Sequence, residues 1–188
     1  RWGVPSAVVA AIIGVETNFG RNTGGYRVLD VLCTLSCDYL RRAEFFRKEL
    51  ASLLEVCHSS GLPVTAVTGS YAGATGLCQF MPSNIIRYGV DFDGDGRVDL
   101  SGSPADAIAS VANYLAGAGW KPGLPVAWRC RATEEQARDL GLGGIRANTT
   151  LQNVLDAGVE MDEPPEAPPA TPVLLVNLPV VAAEGRTD

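Results

Sequence analysis

Four aspartates lie within nine residues in the segment DFDGDGRVD, which runs from position 91 to position 99. Carboxylates this close together repel one another unless a cation neutralises them. Asp91, Asp93 and Asp95 have the spacing of the first ligands of an EF-hand-type loop. Gly96 permits the sharp turn of such a loop, and the carbonyl of Arg97 falls at its backbone-ligand position. This segment therefore predicts a calcium site, and no other segment restricts the path of the chain as strongly.

The last ligand of the predicted loop must come from another part of the chain. Position 12 of a standard EF-hand loop is Gly102 here rather than glutamate. The nearest carboxylate on a structured element is Asp106, because Ser103-Pro104-Ala105-Asp106 predicts a capping box that opens a helix ending near Gly117. Asp106 is equally explained as a plain capping-box residue, so the sequence leaves its role open.

The composition of the chain is that of a globular protein. It has 188 residues, of which 46% are hydrophobic and 19% charged, so one sizeable core with an appendage is expected. The sequence contains no uncharged apolar stretch with the length of a membrane span. A net charge of −6 argues against a phosphate backbone as partner, so nucleic acid is excluded.

The C-terminal part differs in composition from the rest. Acidic and basic side chains are equal in number over residues 1–130, so the whole net charge lies in residues 131–188. Half of the 12 prolines lie between positions 164 and 179. We therefore predict a body over residues 1–130 and an acidic, proline-rich segment over residues 131–188, with a short strand at residues 173–176.

The patterns in the body predict helices. Pro5 suits the first position of a helix that runs through uncharged apolar residues to Glu16, and this helix is expected to be fully buried. A second helix is predicted from Asp38 to about Val56. Residues 59–76 are rich in Gly, Ser and Thr and are expected to form a loop. The predicted fold class is mainly α (α+β), with a small β element near the C-terminus.

The cysteines and the histidine do not have the pattern of a metal site. No CxxC pair is present among the five cysteines, and His58 is the only histidine, so a zinc site lacks ligands. Cys33 and Cys37 stand at i and i+4, where we expect them to pack against neighbouring side chains. The number of cysteines is odd, and the sequence leaves open whether any of them form a disulfide.

Glu16 is the first candidate for catalysis. Burial on the same helical face as Ile12 and Ile13 would disfavour its charged form, and a protonated carboxyl group can act as a general acid toward a glycosidic oxygen. The alternative is that Glu16 merely ends the helix and turns outward or pairs with Arg21.

The second candidate is a glycine-rich segment, GSYAGATGLCQFMPS at positions 69–83. Three glycines within eight residues allow the backbone to approach a ligand closely. Gln79 can donate hydrogen bonds to hydroxyl or acetamido groups and accept them. The segment suits a polar, uncharged substrate such as a sugar, although an ordinary connecting loop explains the same composition.

Five segments together resemble the MltB-type lytic murein transglycosylases of bacteria, over about residues 1–130. They are GVPSAVVAAIIGVETNFGR, LDVLCTLSCDYLRRAEFFRKEL, GSYAGATGLCQFMPSN, VDFDGDGRVDL and SPADAIASVANYLAGAGW. The resemblance implies a lysozyme-like helical catalytic domain with a deep groove and a calcium ion in an EF-hand-like loop. It also implies cleavage of the β-1,4 bond between N-acetylmuramic acid and N-acetylglucosamine in peptidoglycan without added water, leaving a 1,6-anhydromuramoyl end.

The resemblance also implies roles for individual residues. Its catalytic acid and base falls on Glu16. The implied calcium ligands are Asp91, Asp93, Asp95, the Arg97 carbonyl and Asp106. The residues implied to contact sugar are Arg41, Arg42, Ser70, Gln79 and Tyr114. From position alone, Arg41 and Arg42 would be interpreted as a solvated helix face.

The chain departs from the family pattern at three positions near the groove. Thr75, Leu40 and Asn84 stand where the family usually has Met, Pro and Ser. None of these changes removes the acid. The family also continues past this chain's last residue with groove-lining residues, so we expect this chain to have reduced activity or none.

The resemblance implies a mechanism with a single carboxylate. A two-carboxylate glycosidase needs a second acid about 5 to 9.5 Å from the first, but Asp30 and Asp38, the nearest in sequence, belong to no catalytic motif of the family. Glu16 would protonate the bridging oxygen and then accept the proton of the muramoyl C6 hydroxyl as that oxygen attacks C1. The alternatives are a lysozyme-type hydrolase and a non-catalytic peptidoglycan-binding module.

Partners and location are also implied by the resemblance. We expect a peptidoglycan glycan strand as the substrate, structural calcium as the only cofactor, and a monomer. The expected location is the bacterial periplasm or cell envelope, although the chain itself begins without a signal peptide.

Overall fold

The computed structural model describes residues 1–177, and their regular structure is mainly helical, as predicted. The α-helices are α1 (Ser6–Thr17), α2 (Val28–Asp38), α3 (Ala43–Ser60), α4 (Pro82–Tyr88), α5 (Pro104–Gly117), α6 (Glu134–Asp139) and α7 (Leu151–Asp156). Short 3-10 helices are Leu40–Arg42 and Val64–Ala66. The strands are β1 (Tyr26–Arg27), β2 (Thr68–Gly69), β3 (Cys130–Arg131), β4 (Thr149–Thr150), β5 (Glu160–Met161) and β6 (Pro172–Val173). Three antiparallel pairs result, β1 with β2, β3 with β5, and β4 with β6.

The chain divides into two compact units. The first is Arg1–Pro122 and the second begins at Gly123, so the boundary predicted near residue 130 lies within the second unit. The first unit contains α1 to α5, together with every residue that the sequence nominates for catalysis, sugar contact or metal binding.

Helix α1 is buried along one stripe only. Pro5 is its N-cap residue, with extended backbone angles, and Val9, Ile13 and Thr17 are its buried residues. The expectation of a fully buried helix is wrong, because Val15 is 86% exposed. An unbroken apolar run does not reveal which side of a helix faces the core, since burial depends on the elements that pack against it.

The helix predicted from Asp38 to about Val56 is wrong at its start. Asp38 is the last residue of α2, and α3 begins at Ala43. Tyr39 between them has φ −95° and ψ 72°, angles that lie outside the helical region, so the chain turns there. Sequence reasoning missed α2 because its Val, Thr and Cys residues have modest helix propensity. Packing against α3 stabilises it instead.

Two apolar clusters form the core of the first unit. One consists of Val9, Ile13, Cys78, Phe80, Leu100, Val111 and Ala112. The other consists of Val28, Leu32, Phe46, Leu53 and Cys57. The glycine-rich segment contributes Cys78 and Phe80 to the first cluster, beside residues of α1 and α5. This segment is therefore fixed by burial of its own side chains despite its glycine content.

The second unit contains α6, α7 and two of the strand pairs. The capping box of α6 is complete, since Thr133 accepts the Gln136 N–H at 3.2 Å and donates its own N–H to the Gln136 side chain at 2.8 Å. Strand β6 overlaps the strand predicted at residues 173–176, so a β element in this segment is confirmed. Pro179 and the rest of the predicted proline-rich segment after residue 177 lie outside the described residues.

Candidate functional site

Glu16 lies in the last turn of α1, and its side chain is exposed. The expected burial of its carboxyl group is wrong, because Val15 and Glu16 lie on the exposed side of the helix while Ile13 and Thr17 are buried. Among the ion pairs of residues 1–177, none joins Glu16 to Arg21. The carboxylate is therefore accessible to a ligand from solvent.

The residue after Glu16 fixes this end of α1. Thr17 is 1% exposed. Its single hydroxyl proton can be donated to the carbonyl oxygen of Leu77, 2.9 Å away, with the Ile13 carbonyl oxygen at 3.1 Å as the second acceptor within reach, and the hydroxyl oxygen accepts the Gly20 N–H at 3.0 Å. The bond to Leu77 connects the turn that carries Glu16 to the glycine-rich segment. Sequence reasoning missed Thr17, whose only signal is a hydroxyl directly after the candidate acid.

The chain after Thr17 follows a strained path. Asn18 and Phe19 have positive φ angles of 50° and 56°. Non-glycine residues rarely adopt this conformation, which costs about 1 to 3 kcal/mol per residue, although Asn18 is the left-handed C-cap of α1, a position where asparagine is tolerated. The Phe19 ring lies over Gly14, where an added Cβ atom would be 2.9 Å from it, and is still 68% exposed. The ring therefore presents an apolar face at the same end of α1 as Glu16.

Gln79 also has a strained backbone, with φ of 50°. Its Nε2 atom donates to the carbonyl oxygens of Thr23 at 3.1 Å and Gly76 at 3.0 Å. The first bond joins the glycine-rich turn to the segment that follows α1. Gln79 and Glu16 are thus brought into one region by two separate links, since Thr17 bonds to Leu77 in the same turn.

Gly76 permits this turn to approach the end of the acidic loop. Its φ is +73°, and an added Cβ atom would lie 2.6 Å from the carbonyl oxygen of Leu100. The Leu77 N–H donates to the same carbonyl at 2.8 Å. The close backbone approach at this glycine is therefore a contact within the protein.

Ser70 orders the tip of the glycine-rich segment. Its Oγ atom accepts the N–H groups of Ala74 at 3.1 Å and Ala72 at 3.4 Å. Its own N–H donates to the Ala74 carbonyl at 2.8 Å. Tyr71, in the same turn, is 77% exposed. Because these bonds use the Ser70 hydroxyl only as an acceptor, its proton is available for a ligand.

Aromatic contacts bring Tyr114 of α5 to the same region. Its ring centroid lies 5.5 Å from that of Phe80 and 5.1 Å from that of Tyr88. Phe80 directly follows Gln79, so Tyr114 supports the turn that contains the predicted sugar-binding glutamine. Tyr114 is partly exposed and can present the remainder of its ring to a ligand.

Arg41 and Arg42 lie in the 3-10 helix Leu40–Arg42 and are both exposed. The Arg42 guanidinium stacks on the Phe45 ring at 4.3 Å. Within the described part of the chain, no hydrogen bond or ion pair joins either arginine to Glu16. The structure thus links Glu16, Ser70, Gln79 and Tyr114 through one glycine-rich segment, and leaves both arginines exposed.

Three of the predicted calcium ligands converge. Carboxylate oxygens of Asp91, Asp93 and Asp106 lie within 4.8 Å of one another. Calcium prefers oxygen donors of this kind, and a cation would offset the mutual repulsion of three negative charges at this separation. The residues present therefore fit a calcium ion. Asp106, whose role the sequence left open, faces the acidic loop.

Asp106 is fully buried and yet stays ionised. Burial acts to raise its pKa, but the N–H groups of Asp99, Phe92 and Asp93 and the Ser103 hydroxyl outweigh burial and hold the pKa below its ordinary value. The bonds from Phe92 and Asp99 measure 2.8 and 2.9 Å. The predicted capping box is only half formed. The Ser103 hydroxyl accepts the Asp106 N–H at 3.3 Å, but the Asp106 carboxylate accepts N–H groups of the acidic loop.

Asp95 does not belong to the group of three converging carboxylates. Its carboxylate pairs with the Arg97 guanidinium at 3.1 Å, and it also accepts the Arg97 N–H at 2.9 Å. Both side chains are largely exposed, so the pair contributes about 0 to 1 kcal/mol. Binding of Asp95 to a calcium ion would therefore require the loss of only a weak contact.

A buried thiol lies within electrostatic reach of Glu16. Burial raises the pKa of Cys78 from 9.0 to about 12, and the charge of Glu16 acts in the same direction against backbone hydrogen bonds. All five cysteines are free thiols. The expected packing of Cys33 and Cys37 is wrong, because both lie on the exposed face of α2.

Comparison with known proteins identifies a family and a relative that both have the description of a transglycosylase. Residues 1–184 match the family described as the transglycosylase SLT domain. Membrane-bound lytic murein transglycosylase B of Escherichia coli (strain K12) is 42% identical over 163 residues, covering 87% of this chain and 44% of that protein.

Solved structures show the same relationship. The Escherichia coli lytic transglycosylase Slt35 in complex with calcium has a TM-score of 0.77 and 41% identity, covering 87% of this chain and 51% of that chain. SltB3 from Pseudomonas aeruginosa in complex with NAG-anhNAM-pentapeptide has a TM-score of 0.75 and 38% identity. The match covers 85% of this chain and 42% of the SltB3 chain. The chain thus spans about half the length of the relatives that it matches.

These likenesses confirm the expected lysozyme-like helical domain. In the described range, no helix combines the length and the apolar character that a membrane span requires. Identity above 40% over most of the chain, together with a family match from residue 1 to residue 184, exceeds what a shared fold alone explains. The chain therefore belongs to the transglycosylase SLT domain family, alongside lytic murein transglycosylase B and Slt35.

Proposed function

We propose that this chain cleaves the β-1,4 bond between N-acetylmuramic acid and N-acetylglucosamine in peptidoglycan and leaves a 1,6-anhydromuramoyl end. The observation that carries the proposal is the exposed Glu16 carboxylate, which Thr17 fixes beside the glycine-rich turn. The names of the relatives support it, since one is a lytic murein transglycosylase and another was solved with a NAG-anhNAM-pentapeptide.

Glu16 acts first as the acid and then as the base. Its carboxyl group protonates the bridging oxygen, and the resulting carboxylate accepts the proton of the muramoyl C6 hydroxyl as that oxygen attacks C1. Glu16 is exposed in the free protein, so the bound glycan itself must exclude water from the carboxyl group.

The substrate supplies the nucleophile in this mechanism. Asp30 is exposed and pairs with Arg27 at 3.3 Å, which makes it a poor candidate for a second catalytic carboxylate. A hydroxyl group within the same sugar gains from proximity and competes well with external water. One protein carboxylate is therefore sufficient for a non-hydrolytic cleavage.

The sugar contacts come from the glycine-rich segment and α5. Ser70 has a hydroxyl proton to donate, and Tyr114 offers a partly exposed ring against which a sugar face can pack. Gln79 has a side-chain oxygen that can accept a bond while its Nε2 atom maintains the turn. Arg41 and Arg42 contribute exposed donors that a glycan strand can reach.

The calcium ion has a structural role in this proposal. Asp91, Asp93 and Asp106 would bind it, with Asp95 and the Arg97 carbonyl completing the loop. When bound, the ion supplies charge neutralisation that fixes the loop against the N-terminus of α5. The chain acts as a monomer on glycan strands in the bacterial periplasm or cell envelope.

Mass spectrometry of muropeptides released from purified sacculi by this chain tests the proposal. Products that end in 1,6-anhydromuramic acid are expected, each lighter by one water than a hydrolytic product. Reducing ends would identify a hydrolase instead. Binding to sacculi without release of muropeptides would identify a non-catalytic binding module, and both results would overturn the proposal.

A further inference from the structure

A buried carboxylate outside the residues discussed above connects α3 to α4. Glu49 of α3 is 3% exposed. Its Oε2 atom accepts the Ser83 N–H at 2.9 Å, and its Oε1 atom accepts the Ser83 hydroxyl at 2.7 Å. No lysine or arginine of residues 1–177 forms an ion pair with it. Ser83 therefore provides the hydrogen bonds that a buried carboxylate requires.

These two bonds replace a local cap on α4. Pro82 is the first residue of the helix and has no N–H group, and the N-cap residue Met81 makes no side-chain capping bond. The Ser83 N–H is thus the first donor of the helix that needs a partner. Glu49 supplies that partner from a different helix, so the start of α4 is fixed relative to α3.

Helix α4 follows directly on the strained turn of Gln79. Thr75 and Phe80 exchange backbone hydrogen bonds of 2.9 and 3.1 Å that close this turn, and Met81 is the only residue between Phe80 and the helix. Thr17 fixes the turn on one side, and the bonds to Ser83 fix the chain on the other. A glutamine with φ of 50° persists only where its surroundings impose that angle.

We propose that Glu49 is a positioning residue that, through Ser83 and the start of α4, maintains the Gln79 turn in the conformation that binds the glycan. The structural part of this proposal concerns the turn alone, and the glycan part rests on the proposed function. Glu49 is buried and acts through Ser83, so it does not itself contact substrate.

Four variants separate this role from a general loss of stability. Glu49→Leu removes both acceptors at similar volume, and Glu49→Gln keeps one acceptor and can donate to the Ser83 hydroxyl. Ser83→Ala removes the bond from the Ser83 hydroxyl to Glu49 and keeps the bond from the Ser83 N–H. It replaces Glu49→Leu in both experiments if that variant fails to fold. Glu55→Leu is the matched control, because Glu55 is an exposed glutamate on the same helix.

Hydrogen exchange in the ligand-free protein tests the structural part without any activity. The Gln79 and Phe80 N–H groups bond to Gly76 and Thr75 at 3.2 and 3.1 Å. We expect Glu49→Leu to accelerate exchange of both about tenfold relative to the amides of α1, which corresponds to about 1.4 kcal/mol. Glu49→Gln should have a smaller effect, and Glu55→Leu none. Unchanged exchange, or acceleration that the α1 amides share equally, would overturn the proposal.

Kinetics on soluble peptidoglycan oligomers test the glycan part. Displacement of Gln79 should raise KM about tenfold in Glu49→Leu and change kcat much less, with Glu49→Gln restoring most of the affinity. A simple loss of folded protein would lower apparent kcat at constant KM. If the wild type turns over and KM stays unchanged in Glu49→Leu, the proposal is wrong. If the wild type itself is inactive, the proposed function fails while hydrogen exchange still decides the role of Glu49.

Discussion

The hydroxyl oxygen of Thr17 lies 2.9 Å from the carbonyl oxygen of Leu77, a residue 60 positions further along the chain. This bond connects the helix end that carries Glu16 to the turn that carries Gln79. Glu16 is exposed and is positioned by its buried neighbour. The position of Glu16 in the candidate active site therefore depends on Thr17, which is buried and does not itself face the substrate.

Replacement of Thr17 tests this dependence. Thr17→Val removes the hydroxyl at nearly constant volume and leaves the Leu77 carbonyl without its donor, which should lower the free energy of unfolding by about 1 to 3 kcal/mol. Muropeptide release should fall as well, because Glu16 loses its fixed position. Thr17→Ser keeps the hydroxyl and should remain close to wild type in activity. Urea unfolding and product quantification measure both effects, and a Thr17→Val variant equal to wild type in both would contradict this role.

The role of Glu16 is tested by Glu16→Gln. The amide keeps the shape of the side chain but cannot deliver a proton, so turnover should fall at least about 10²-fold. Because Glu16 is exposed, the melting temperature and the binding of glycan oligomers should change little. Glu55→Gln, an exposed glutamate on α3, is the control for the lost charge. Retention of more than about a tenth of wild-type turnover would exclude Glu16 as the general acid.

Calcium should stabilise the chelator-treated protein. At about 100 times its dissociation constant, the ion contributes roughly 2.7 kcal/mol, or about 5 to 11 °C in melting temperature at about 2 to 4 °C per kcal/mol. Asp93→Ala removes one of the converging carboxylates with its oxygen ligands and should reduce this shift, whereas Asp38→Ala, which removes an exposed acid of α2, should not. Magnesium should substitute poorly, because it needs a tighter octahedral site. An equal shift in wild type and Asp93→Ala, measured by calorimetry, would exclude the site.

The buried thiol of Cys78 should make stability fall at high pH. Its pKa is raised from 9.0 to about 12 by burial, so above pH 9.0 the unfolded chain releases this proton before the folded protein does. The contribution is complete below pH 9.0 and is lost as pH rises toward 12. The free energy of unfolding should therefore decline less steeply above pH 9.0 in Cys78→Ala. Identical slopes in the two proteins would contradict the raised pKa.

The same thiol should resist alkylation in the folded protein. At about pH 8 Cys78 remains protonated, whereas the exposed Cys33 and Cys37 are accessible to an alkylating reagent. Peptide mass spectrometry after brief labelling should find both exposed cysteines modified and Cys78 unmodified. After unfolding in denaturant, all three should react. Labelling of Cys78 as fast as Cys33 before unfolding would show that the side chain is not buried.

Several features could be predicted because they depend on local spacing. The carboxylates of Asp91 and Asp93 converge because the EF-hand-type spacing sets the path of a short loop. The N-cap at Ser103 could also be predicted, since its hydroxyl accepts a hydrogen bond from the N–H of Asp106, only three residues away. The family resemblance located Glu16, but no local pattern could predict that its carboxyl group is exposed.

The features that sequence reasoning missed depend on contacts between distant segments. Helix α2 has weak propensity of its own and is stabilised by α3. In the sequence, Glu49 is one of several charged residues of α3. Only its burial and its contact with Ser83 in the structure distinguish it from the exposed Glu55. Asp95 has the spacing of a calcium ligand, but its carboxylate pairs with Arg97 in this structure.

The sequence by itself determined the helical class, the acidic loop and the residue types of the site, because these follow from periodicity, ligand spacing and motif order over short distances. The tertiary structure decided which of these residues are buried and which of them meet. Burial of Thr17 and exposure of Glu16, adjacent in the chain, result from packing of α1 along one stripe against other segments. The positive φ of Gln79 likewise persists because bonds from Thr17 and Glu49 fix the chain on both sides of it. Contacts between residues so far apart in the chain produce no periodic pattern from which the sequence could predict them.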